Sequence, residues 1–144
     1  MVDTYALMAD LTGQAPARAL DVLEDVKRGR ATGVIHYLIV YELAYHWLRG
    51  RLPFKDRAEL QAFLDTYFTL VGLDPGLAVS AARIKTEGDE LLRRSRDPEL
   101  ERRRLSATDA TTIALAHRLK APIITGDKDL AYVAQSMGIE VVWG

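Results

Sequence analysis

Cysteine is absent from the 144-residue chain. That excludes disulfides, thiolate metal ligands and cysteine nucleophiles. No apolar run approaches the ~20 residues that span a bilayer. The stretch MVDTYALMADL lacks the basic region of a secretory leader, with Asp3 where Lys or Arg would stand. A cytoplasmic protein without membrane association is the expectation. A surplus of one charge is missing too: the formal net charge is −1, so any contact with nucleic acid must come from local patches. Linkers, repeats and low-complexity tracts are also lacking. What remains is ordinary globular composition, 49% apolar and 27% charged. One domain over residues 1–144 is expected, burying roughly two thirds of its unfolded surface.

Short β-rich runs alternate with helical stripes. Val2 to Tyr5 has room for a very short strand. Ala19, Val22, Leu23 and Val26 fall at i, i+3, i+4, i+7, a helix entered near Pro16 and ended by Gly29. TGVIHY (32–37) reads as a strand, and 38–50 as a helix apolar almost all round, closed by Gly50 and Pro53. Leu60, Phe63, Leu64, Tyr67, Phe68 and Val71 predict three further helical turns. Pro75 opens another helix, with Ala78, Ala81, Ala82 and Lys85 on one side, running into the charged segment 86–104. From Ser106 the order is helix (106–120), strand (122–125), helix (128–137), strand (139–143). Such alternation favours an α/β fold with a parallel sheet.

Four acids can meet on this plan. Ligands of open α/β sheets gather beyond the carboxyl ends of the strands. Asp3 lies at the end of the first strand, and Asp127 just past the strand ending at Thr125. Helix 109–120 spans about 18 Å at ~1.5 Å per residue, and the return strand covers a similar distance at ~3.3 Å per residue. Asp109 therefore comes back to the same edge. Ser106-x-x-Asp109 also serves as a variant capping box. Glu42, His46 and Arg49 form a narrow polar stripe, either the solvent side of the 38–50 helix or the wall of a polar cleft. Converging carboxylates repel unless protonated or neutralised by a cation. Hard oxygen donors select Mg²⁺ or Mn²⁺, ions that activate water and steady the leaving oxygen of a phosphodiester.

Asp3-Thr4, VYEL with Glu42, SATDATTIALAHRLKAPIITGDKDL with Asp109, Thr125, Asp127 and Asp129, and the terminal GIEVVWG resemble the PIN domain, in particular the VapC-type ribonuclease toxins of type II toxin–antitoxin pairs. The resemblance implies a three-layer α/β/α sandwich with a mainly parallel sheet. It implies a Mg²⁺- or Mn²⁺-dependent endoribonuclease leaving 5′-phosphate and 3′-hydroxyl ends. It places Asp3, Glu42, Asp109 and Asp127 in the catalytic metal-binding quartet, with Thr4, Thr125 and Asp129 as auxiliaries. It also implies an RNA substrate, a cognate antitoxin and a homodimer.

Arg49, Lys128 and Arg94 are candidate phosphate contacts. Arg93, Arg94, Arg96 and Arg102–Arg104 form either a backbone-tracking patch or a solvated helix pair broken at Asp97-Pro98. Trp47 and Trp143 read as packing residues. Two alternatives stay open: a catalytically inactive PIN-like interaction module, and a PIN nuclease of RNA processing. A haloacid-type phosphatase would need an Asp-x-Asp nucleophile that VDTYAL lacks. A receiver domain would need paired acids there and a lysine after the last strand.

Overall fold

The computed structural model describes all 144 residues. Two pairs of parallel strands are joined by the N-terminal segment. Strand β1 (Gly33–His36) pairs with β2 (Phe68–Val71) in the register Gly33 to Phe68. Strand β3 (Ile123–Ile124) pairs with β4 (Val141–Val142) in the register Ile123 to Val141. Between them lies Val2, bridged in parallel to Ile124, with its amide donating to the Val34 carbonyl at 3.1 Å. The spatial order is β2, β1, the N-terminal segment, β3, β4.

Eight helices complete the α/β sandwich: α1 (Thr4–Leu11), α2 (Ala17–Lys27), α3 (Tyr37–Leu48), α4 (Arg57–Tyr67), α5 (Pro75–Arg93), α6 (Pro98–Glu101), α7 (Ala107–Leu119) and α8 (Lys128–Ser136). Helix α1 packs on α2 and α3, while α5 packs on α6, α7 and α8. A continuous core of 31 buried residues runs through the layers, including Leu7, Ile35, Leu43, Leu77, Ile113 and Leu130. No helix is long and apolar enough to cross a membrane.

Local chemistry sets the helix starts. Side-chain oxygens of Asp3, Asp56, Asp74, Asp97, Ser106 and Asp127 each accept from a backbone amide at the head of α1, α4, α5, α6, α7 and α8. Helix α3 has an unusual cap: His36 Nδ1 accepts from the Leu38 amide at 3.2 Å. The proton therefore sits on Nε2, which donates to Thr112 Oγ1 at 2.9 Å, and that hydroxyl donates to the Thr108 carbonyl at 3.0 Å. Burial pushes the His36 imidazole down to about 4, so it stays neutral.

Four sequence expectations are corrected. The first strand is a single bridge at Val2, and Tyr5 is helical, because the Asp3 cap turns the chain at once. Phe68–Val71 is strand, not a further turn of α4. Phe68 lies opposite Gly33, where a Cβ would come within 3.0 Å of Phe68 Cδ1 and 2.6 Å of Val26 Cγ1, so glycine lets the ring close over β1. Helix α5 ends at Arg93, and only one turn forms within 94–104, opened by Asp97 and Pro98. Helix α3 is not buried all round: Tyr37, Tyr41, Tyr45 and Leu48 are exposed, while Glu42 and His46 are half-buried.

The His36–Thr112 link supplies a stability test. Thr112→Val keeps the shape but leaves the buried imidazole N–H without an acceptor. Chemical denaturation should show a loss of about 1–3 kcal/mol with an unchanged m-value.

Candidate metal centre

The site is assembled from chain ends and helix starts. Asp3 follows the bridged Val2, caps α1 through the Ala6 amide at 2.9 Å, and is 4% exposed. Thr125 follows β3 and is fully enclosed. Its hydroxyl donates to Asp3 Oδ2 at 2.6 Å and accepts from the Asp127 amide at 3.0 Å. Asp127 caps α8 by accepting from the Asp129 amide at 3.2 Å. Asp109 occupies the first turn of α7, its amide donating to Ser106 Oγ at 3.0 Å. Glu42, midway along α3, accepts from Thr4 Oγ1 at 2.7 Å.

One carboxylate oxygen from each of Asp109, Asp127 and Asp129 falls within 4.8 Å of the others. Asp129, expected as an auxiliary acid, is a full member of this group, and Asp127 is the cap of α8. Asp3 and Glu42 stand outside the tightest trio, yet their charges reach it. Burial first, then the charges of Asp127, Asp3, Asp129 and Glu42, push Asp109 up to about 8. Burial likewise raises Asp3 to about 7 against the hydrogen bonds from Thr125 and Ala6, with Glu42 adding repulsion. Burial and the neighbouring Asp129 carboxylate raise Asp127 to about 7. Burial opposes ionisation of Asp129 as well, but hydrogen bonds from Asp127, its own amide and Arg103 hold it below the usual range. The neighbouring carboxylates of Asp127 and Asp129 are thus pushed in opposite directions.

Of the cations named from sequence, Lys128 is engaged by Asp97 at 3.0 Å and Glu99 at 2.7 Å. Arg94 pairs with Glu90 at 2.8 Å at the end of α5. Arg49 lies 5.6 Å from the Tyr45 ring centroid and donates to its hydroxyl at 3.1 Å. The cation that touches the acids is Arg103, which donates to Asp129 Oδ1 at 3.1 Å and to Glu99 at 3.2 Å. Sequence reading placed Arg103 only within a basic run. Nothing in local spacing tells it from Arg102 or Arg104.

An α/β sandwich with clustered acids at the carboxyl edge of its sheet is what this geometry defines. The chain belongs to the PIN domain family, whose family model matches residues 1–136. Members of that family are generally nucleases. Among solved structures, the crystal structure of PAE2754 from Pyrobaculum aerophilum is similar: TM-score 0.61 and 21% identity over 97% of this chain and 81% of that one. No curated protein matches.

The donors suit a hard divalent cation. They are carboxylate oxygens only, burial and neighbouring carboxylates raise Asp109 and Asp127, and Arg103 alone is a poor counter-charge for the group. The stability contributed by Asp3, Asp109 and Asp127 is present below about pH 4, near their ordinary value of 3.8. It is lost as pH rises through the folded values of about 7 to 8. Added Mn²⁺ should therefore raise Tm at pH 8 and do little at pH 5, where protons occupy the same oxygens. Asp109→Asn should raise the Tm of the metal-free protein at pH 8 and remove most of the Mn²⁺ effect. Differential scanning calorimetry at the two pH values reads both outcomes.

Proposed function

We propose that the protein is a Mg²⁺- or Mn²⁺-dependent endoribonuclease, the toxin component of a VapC-type toxin–antitoxin pair. The supporting observation is the trio of carboxylates, Asp109, Asp127 and Asp129, within 4.8 Å of one another at the start of α7 and α8. Asp3 and Glu42 extend their field, as their influence on Asp109 records. In this reading Asp3, Glu42, Asp109 and Asp127 are the catalytic acids, and Asp129 joins them as an oxygen donor.

When bound, the metal lowers the pKa of water and neutralises charge developing on a phosphodiester. The chain's own residues do the rest. Thr125 fixes the rotamer of Asp3, and its acceptor bond from the Asp127 amide fixes the turn that presents the Asp127 carboxylate. Thr4 orients Glu42. No histidine is needed as the acid or base, and His36 is committed to its cap and to Thr112. The partners that accompany this reading are an RNA substrate, a small antitoxin protein and a second copy of the chain.

The test is cleavage of single-stranded RNA with Mg²⁺ or Mn²⁺. Asp109→Asn and Asp127→Asn should each lose more than the roughly 10- to 100-fold that outer partners of a metal site cost. Thr125→Val should fall within that range. EDTA should stop the wild-type reaction. Equal activity in wild type and both Asn variants, or indifference to EDTA, would refute the reading and leave an interaction module in its place.

A further inference from the structure

An aromatic cleft lies beside the acids and takes no part in holding them. Tyr5, the residue after Thr4, meets Trp143 edge to face, with ring centroids 5.4 Å apart and planes at 80°. Both rings press on the backbone of Gly126, the residue between Thr125 and Asp127. A Cβ there would stand 2.5 Å from Tyr5 Cε1 and 2.4 Å from Trp143 Cε2. The pair is therefore seated on the same turn that presents the Asp127 carboxylate. Tyr5 nevertheless remains 49% exposed. Together with Met8, Ala9, Thr12 and Gln14, the two rings line a cleft of about 450 Å³.

The chemistry of the lining narrows the ligand. None of the six residues carries a charge, so the cleft offers nothing to a phosphate and is not a continuation of the acidic cluster. It offers two aromatic rings, the thioether of Met8, and at its rim the exposed Gln14 amide and Thr12 hydroxyl. Thr12 Oγ1 spends its proton on the Met8 carbonyl and keeps its acceptor lone pairs. A flat, uncharged heterocycle with donors and acceptors on its edge meets those requirements. The PIN match ends at residue 136, so Trp143 lies outside the matched part of the chain.

We propose that the Tyr5–Trp143 cleft holds an unstacked nucleobase of single-stranded RNA, next to the phosphate presented to Asp109, Asp127 and Asp129. This rests on the ribonuclease reading above and adds a base subsite to it. Duplex RNA keeps its bases stacked and cannot fill the cleft, so the subsite confines the enzyme to loops, ends and unpaired segments.

The experiment uses the whole chain labelled with 5-fluorotryptophan, whose two tryptophans give two ¹⁹F resonances. An unstructured oligoribonucleotide is titrated in EDTA, so that no cleavage occurs. The Trp143 resonance, assigned with Trp143→Phe, should shift while that of Trp47 stays. A duplex of the same sequence should leave both in place. Tyr5→Ala, a half-exposed position checked for folding by circular dichroism, should weaken oligonucleotide binding by roughly 5- to 150-fold. With metal present it should raise KM and leave kcat close to wild type. Gln14→Ala should change the preferred base at one position beside the cut. Unchanged binding and KM in Tyr5→Ala with a stationary Trp143 resonance overturn the proposal, as does an equal shift with duplex. Tyr5-dependent binding without cleavage by the wild type upholds the subsite and overturns the nuclease reading instead.

Discussion

The fold turns on three residues at the start of the chain. Val2 lies between the β1–β2 pair and the β3–β4 pair, joined to them through its amide to Val34 and its bridge to Ile124. The Met1 carbonyl accepts from the Ile124 amide at 2.8 Å, and the Asp3 amide donates to the Ile124 carbonyl at 3.3 Å. Where this segment leaves the sheet it delivers Asp3, and the Asp3 carboxylate at once caps α1 and receives the Thr125 hydroxyl. Sheet closure and site assembly are therefore one event.

Bringing acids together costs stability, and the surrounding polar groups show how the cost is distributed. Thr125 and Thr4 each hold one acid by a short hydrogen bond, which fixes rotamers without cancelling charge. Burial first, and then mutual repulsion, favours the protonated forms of Asp109 and Asp127, and burial does the same for Asp3. Arg103 relieves part of the rest at Asp129, and it is itself steadied by Glu99, which also holds Lys128. The segment around α6 is thus fastened to the head of α8 by exposed ion pairs, with Leu100 as its buried anchor. Exposed pairs of this kind contribute little individually and weaken with salt.

Much of this was legible in the sequence. The alternation of short β runs with amphipathic stripes gave the α/β class, and Thr125-x-Asp127 stood out because an acid follows a strand end directly. The Asp109 position followed from helix and strand lengths alone. What escaped has definite physical causes. FTLV (68–71) continues the spacing of Leu60, Phe63, Leu64 and Tyr67, so periodicity could not separate strand from helix; pairing with β1 decides it. Tyrosines 37, 41 and 45 counted as apolar and suggested a buried α3, whereas their hydroxyls let the rings lie exposed. Contacts such as Arg103 to Asp129, 26 residues apart, and Thr4 to Glu42, 38 apart, are products of tertiary geometry that no local pattern announces.

Residues 125–127 carry four obligations in three consecutive positions. Thr125 must reach Asp3, Gly126 must yield space to two rings, and Asp127 must both cap α8 and join the acids. A turn with that many creditors has almost no mutational freedom. Substitution at Gly126 in particular would press the aromatic pair and the carboxylates with one displaced backbone.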